Sequence, residues 1–202
     1  METNQKQYSA ACERNRGPIL EQLLRLLAQS KTVLEIGSGT GQHAVFFAEH
    51  LPQLRWQTSD RLANHASIVE WMKESNLNNI AAPIELDVGR QEHWPDTKYD
   101  AAFTANTCHI MAWEEVKRMF VGLQNCLETQ ALLIIYGPFN YGGEFTSLSN
   151  QMFHQNLQSQ ASHMGIRDIE ELIELGKTCH FQHIEDLEMP ANNRLLVFQK
   201  TT

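Results

Sequence analysis

The stretch KTVLEIGSGTGQHAVFFAEHL, Lys31 to Leu51, admits few folds. A short apolar run suits a strand buried on both faces. It enters a turn carrying Gly37, Gly39 and Gly41, and apolar residues then recur at helical spacing. Glycines directly after a strand permit a tight turn and let a ligand approach the backbone, while the next helix offers free N–H groups. Repeated, such a unit builds a parallel sheet that binds ligands outside the carboxyl ends of its strands.

The rest of the chain repeats the alternation. LRWQTSD reads as a second strand and HASIVEWMKES as a helix; IAAPIELDV is a third strand, weakened by Pro83. YDAAFTANT is a fourth, followed by an amphipathic helix from Trp113 to Glu128. ALLIIYGPF is the most apolar strand, and helices are predicted over Phe145–Gln160 and RDIEELIELGKTC. FQHIEDLEM and RLLVFQK close the chain. Their PANN link is too short for a crossover, so they pair antiparallel. Upstream, Pro18 is placed as the first residue of the helix PILEQLLRLLAQ. The prediction is an α/β three-layer sandwich: a seven-stranded, mostly parallel sheet with the last strand antiparallel and helices on both faces. The chain of 202 residues has no linker-like tract and is expected to form a single domain, 1–202.

Composition narrows the partners. A net charge of −8 without a run of Lys or Arg argues against binding a phosphate backbone, so nucleic acid is an unfavoured partner. METNQKQYSA lacks the apolar core of a signal peptide, and no apolar run approaches the ~18 residues of a membrane span. Cys12, Cys108, Cys126 and Cys179 form no CxxC pair, which points to reduced thiols and a cytoplasmic compartment. CHFQH lies across a helix-to-strand boundary without a second ligand cluster, so no metal is expected. Nothing in the pattern sets an oligomeric state.

The glycine spacing is G-x-G-x-G. The dinucleotide fingerprint needs glycine at a sixth position that Gln42 holds here, which disfavours an NAD(P)-dependent oxidoreductase. Asp60, 19 residues beyond Gly41, closes the second strand. It can accept hydrogen bonds from vicinal ribose hydroxyls, or cap the next helix. Asp87, at the end of the third strand, can meet an adenine amino group or serve a plain turn.

VLEIGSGTG, Asp60, the LDV after strand three and the reversed last strand together resemble the class I S-adenosylmethionine-dependent methyltransferases. CERNRGPIL, EIGSGTGQHAVFFA, FTANTCHIM, YGPFNYGGEFTS, GIRDIEEL and MPANN are similar to a family of unknown function that includes methyltransferase-like protein 26. The resemblance covers most of the chain and implies a Rossmann-like fold and S-adenosyl-L-methionine as cofactor. It places Glu35, Gly37, Ser38, Gly39, Gly41, Asp60, Asp87, Val88 and Asn106 at the cofactor. Arg16 is a further candidate, to pair a carboxylate from an N-terminal segment, 1–30, that either folds over the cofactor or stands as an exposed helix.

The polar interruption in FTANTCHIM then faces the ligand pocket, with Asn106 at the methionine end of the cofactor and His109 as a candidate general base. A packing histidine at a helix start is the competing reading. Tyr136 and Asn140 are candidates for positioning the acceptor, and Tyr141, Asn192 and Asn193 for binding it, along an insertion spanning 137–170. Cys108 is expected to be a structural thiol. The NPPY and DPPY motifs of base-methylating enzymes are absent. The expected function is a methyltransferase acting on a small-molecule acceptor. The alternatives are a non-catalytic S-adenosylmethionine- or nucleotide-binding adaptor and, less favoured, the oxidoreductase.

Overall fold

The computed structural model describes residues 6–201. Its strands are β1 Thr32–Ile36, β2 Arg55–Asp60, β3 Ile80–Glu85, β4 Tyr99–Ala105, β5 Leu127–Gly137, β6 Phe139–Asn140, β7 Arg167–Asp168, β8 Phe181–Met189 and β9 Asn193–Lys200. Its helices are α1 Ala10–Leu26, α2 Gln42–His50, α3 Leu62–Ser75, α4 Trp113–Cys126, α5 Leu148–Gln160 and α6 Ile169–Thr178. The main sheet has seven strands in the order β3-β2-β1-β4-β5-β9-β8. Only β9 is reversed, pairing antiparallel with both β5 and β8. The expected Rossmann-like sandwich is the fold observed. β6 and β7 form a separate parallel pair.

Alternating side chains divide the core in two. Val33, Phe103, Ile134 and Val197 pack under α1 and α2, while Leu34, Ala102, Leu133 and Phe198 pack under α4 and α6. On the first face Phe47 of α2 meets Trp56 and Phe103 at ring separations of 5.6 and 5.5 Å. All three are fully buried, and each such side chain contributes on the order of 2–3 kcal/mol. This cluster carries the glycine turn from beneath.

Two elements differ from expectation for local reasons, and a third is kept by its place in the sheet. α1 begins at Ala10, with the Ser9 side chain accepting from the Cys12 N–H, so Pro18 lies inside the helix. Its missing N–H leaves a carbonyl on exposed Arg14 that water can satisfy, and Ile19 and Leu23 hold the helix in the core. β5 starts at Leu127, earlier than the apolar run, because the register shifts around Gln130, whose φ is 69°. Pro83 is accommodated because β3 is an edge strand.

Candidate functional site

The three turn glycines have different reasons to be glycine. All take positive φ, at 71°, 56° and 94°. A Cβ on Gly37 would lie 2.9 Å from Thr107 Cγ2, and one on Gly41 2.8 Å from the Ile68 Cα. Those two positions let the turn pack against the loop after β4 and against α3. A Cβ on Gly39 would meet nothing within 4 Å. Its face opens to space at the carboxyl end of the sheet, beside the start of α2, where Gly41 has no side chain to cap the helix and the Gln42 N–H donates to the Thr40 hydroxyl at 3.3 Å.

Two carboxylates flank the turn in contrasting ways. Asp60 Oδ2 accepts from the Gly39 N–H at 2.7 Å, and Oδ1 accepts from the Arg61 N–H at 2.7 Å and Asn64 Nδ2 at 2.9 Å. It therefore holds the open glycine and the first turn of α3 together. A carboxylate has about four acceptor positions, so one remains for a ligand. Glu35 is buried instead, and its Oε2 accepts from the Ser38 hydroxyl at 2.8 Å and Trp56 Nε1 at 3.1 Å. Burial raises its pKa to about 7, Asp60 adds to the rise, and the two hydrogen bonds oppose it. Glu35 and Ser38 form the underside of the turn.

Across the sheet edge, Asn106 sits in the left-handed region with φ 60°, and its N–H donates to the Tyr136 carbonyl at 2.8 Å. Asn is among the few residues that take this conformation readily. The Asn106 side chain forms no hydrogen bond within the chain among the described residues. His109 is buried, with its ring edge-on to Phe153 at 5.2 Å. Burial and, to a lesser extent, the nearby Arg167 cation lower its pKa to about 4. Arg167 pins this turn, donating to the carbonyls of Cys108 at 3.1 Å, Met111 at 2.5 Å and His163 at 2.8 Å. Cys108 is enclosed, and its thiol is pushed up to about 12.

α1 reaches the same edge. Asn15 Oδ1 lies 2.7 Å from His43 Nε2, and the Asn15 carboxamide faces the buried Tyr136 hydroxyl, where it opposes the rise in pKa that burial causes. The glycine turn, Asp60, Asn106 and Tyr136 are thus joined at the carboxyl ends of β1, β2, β4 and β5. Other candidates are engaged elsewhere. Val88 turns into the core against α4. Asp87 Oδ1 accepts from the Gly89 N–H at 2.9 Å, and Oδ2 lies 3.4 Å from Arg61 Nε. Arg16 pairs with Glu13 and stacks on Phe46. The Tyr141 hydroxyl donates to Asp186 at 2.6 Å. Asn192 Nδ2 donates to Ser149 at 3.2 Å, and Asn193 Nδ2 to the Pro190 carbonyl of its own turn at 3.1 Å. Asn140 is buried, and its Oδ1 has no partner.

Sequence reasoning missed Asn15, His43, Arg61, Phe153 and Arg167. CERNRGPIL, EIGSGTGQHAVFFA and GIRDIEEL marked the segments of Asn15, His43 and Arg167, but not those residues. Among the described residues no His, Cys, Asp and Glu group is placed to hold a metal ion, and no helix is long and apolar enough to cross a membrane.

The family described as "Protein of unknown function (DUF938)" matches residues 6–200. Several solved structures are similar in fold. An O-methyltransferase family protein from Burkholderia thailandensis has a TM-score of 0.78 at 13% identity, over 93% of this chain and 60% of that one. An O-methyltransferase family 2 protein from Planctomyces limnophilus, in complex with apigenin, has 0.78 at 15%, over 95% and 59%. A putative O-methyltransferase from Nostoc punctiforme has 0.80 at 14%, over 94% and 58%. The chain spans less than two thirds of each, and the likeness is one of fold, that of the class I methyltransferases.

Proposed function

We propose that this chain, which belongs to the DUF938 family of unknown function, is an S-adenosyl-L-methionine-dependent methyltransferase acting on a small-molecule acceptor. The observation that carries the reading is Gly39: a left-handed glycine whose missing Cβ leaves open space, held to the Asp60 carboxylate by its N–H. When bound, S-adenosyl-L-methionine would supply a methyl group already activated on a sulfonium, so the protein's task is chiefly alignment. The remaining acceptor position on Asp60 suits a ribose hydroxyl. The unpaired Asn106 carboxamide, with a donor and an acceptor, suits the amino-acid end. Asp87, shared between Gly89 and Arg61, borders the adenine side.

His109 is neutral throughout the physiological range, because burial holds it at about 4. In that form it can accept a hydrogen bond or a proton from the acceptor, though its low pKa limits its strength as a base. The N-terminal segment forms the cover over the cofactor: the Gln7 N–H donates to Ser67 at 2.9 Å, and Asn15 reaches His43 and Tyr136. Residues 1–5 of that segment lie outside the described residues. The 137–170 insertion, carrying Asn140, Tyr141 and Phe153, forms the acceptor wall. A small molecule is favoured over nucleic acid by 24 acidic against 16 basic residues. The four cysteines are free, in keeping with a cytoplasmic setting.

Calorimetry with S-adenosylmethionine, S-adenosylhomocysteine and NAD tests the cofactor, and transfer of labelled methyl across a metabolite panel tests turnover. Binding of NAD in preference to both sulfur compounds would remove the reading. Cofactor binding without transfer to any acceptor would favour a non-catalytic binder.

A further inference from the structure

The two strands of the β6–β7 pair each carry a buried acceptor atom without a donor. Asn140 and Asp168 are direct partners across this parallel pair, so their side chains stand on the same face, with strands ~4.8 Å apart. Phe139 and Arg167 take the opposite face, where Phe139 joins the core and Arg167 binds the carbonyls of Cys108 and Met111. Asn140 is only 6% exposed. Its Oδ1 and the Oδ1 of Asp168 are both shut off from solvent, and neither has a hydrogen-bond partner. Asp168 occupies the position before α6, where an aspartate commonly caps the helix, yet it makes no cap hydrogen bond.

A buried acceptor without a donor costs on the order of 1–3 kcal/mol, and a carboxylate oxygen more. Two such atoms on one face, one carrying negative charge, match a cationic donor. Their location ties them to the acceptor side. β6 follows the carboxyl end of β5, where a Cβ on Gly137 would lie 3.7 Å from His109 Nδ1. β7 is joined to the turn that carries His109 by Arg167, one residue before Asp168 and on the other face of the pair.

We propose that Asn140 and Asp168 form the anchoring subsite for a protonated amine on the acceptor substrate. This rests on reading the neighbouring site as that of a methyltransferase. A protonated nitrogen has no lone pair and cannot take up a methyl group. The amine held here is therefore a handle, and the methylated atom lies elsewhere on the same small molecule. Charge-assisted hydrogen bonds to the two oxygens would satisfy both at once.

The test is an amide NMR titration of the full chain with ethylammonium and phenethylammonium chloride, using ethanol and 2-phenylethanol as uncharged controls. The expected result is saturable shifts confined to residues near Asn140 and Asp168, with each amine binding at least about tenfold more tightly than its alcohol. Asp168→Asn keeps the shape and should weaken amine binding by about tenfold while leaving the alcohols unchanged. Asn140→Asp adds a second carboxylate and should tighten amine binding. Equal binding of amine and alcohol, no saturable shift with either amine, or unchanged amine affinity in Asp168→Asn would overturn the proposal and leave the two oxygens to ordered water. Each titration is run with and without S-adenosylhomocysteine. Amine binding in a chain that does not bind S-adenosylhomocysteine would sink the methyltransferase reading and spare the subsite. S-adenosylhomocysteine binding without amine binding would do the reverse.

Discussion

Replacing Glu35 with glutamine should change how stability depends on pH, by an amount the structure sets. The carboxyl is enclosed beneath the glycine turn, and its pKa rises from 4.5 to about 7. At ~1.4 kcal/mol for each tenfold change in proton affinity, this is worth about 3 kcal/mol. Between 4.5 and about 7 the native chain holds a proton that the unfolded chain has released. The stability from Glu35 is therefore fully present below 4.5 and is lost as pH rises through about 7.

His43 and His109 work in the opposite sense. Burial lowers both from 6.5 to about 4, so the unfolded chain takes up protons that the native chain refuses, and stability is lost as pH falls below 6.5. Two histidines outweigh one glutamate in the range they share, and the wild-type curve should peak near pH 6.5 and decline above it. Glu35→Gln keeps a side chain that can accept from Ser38 and Trp56 but removes the proton uptake. Urea unfolding of both proteins from pH 4.5 to 8 gives the difference in stability, from which any constant cost of the substitution drops out. That difference should move in the variant's favour by about 3 kcal/mol across the range. A difference constant to within about 0.5 kcal/mol, the precision of the extrapolation, would mean that Glu35 ionises normally and its charge is compensated.

Gly39→Val meets no neighbour, so its cost to folding should be the backbone strain of about 1–2 kcal/mol that a φ of 56° imposes, while S-adenosylmethionine affinity falls by at least about tenfold in calorimetry; wild-type affinity in a folded variant would place the cradle elsewhere. His109→Gln should leave cofactor affinity nearly intact while lowering turnover by ~10²-fold if the imidazole acts as a base. The acidic limb of the wild-type kcat/KM profile assigned to His109 should then fall near pH 4, and a limb near 6.5 would point to a different group. Arg167→Met should destabilise the chain by about 2–3 kcal/mol, because three carbonyls lose a charged donor, with amide exchange rising first over residues 106–111. Unchanged exchange there would mean that Thr107 and its neighbours hold the turn unaided.

What could be read from the sequence was what depends on position along a strand or a local turn. Asp60 was visible because a carboxylate closing a strand after a glycine turn has few other places to be, and it stands beside Gly39. The competing expectations of ligand acceptor and helix cap are not exclusive: one carboxylate already serves the turn and the start of α3, with an acceptor position to spare. Pro83 weakened a strand prediction that the edge position of β3 rescues, and edge position is a property of strand order that no local pattern encodes. The same limit explains Arg61 and Arg167. Arg61 reaches Asp87 and Glu115, and Arg167 reaches carbonyls more than fifty residues away in the chain, so neither has a local signature. Asn106 shows the boundary between the two kinds of information. Its polarity in an apolar run suggested a pocket, but its left-handed backbone already gives a reason for asparagine, and only its unpaired side chain at the carboxyl edge makes the ligand reading more than a statement about a turn.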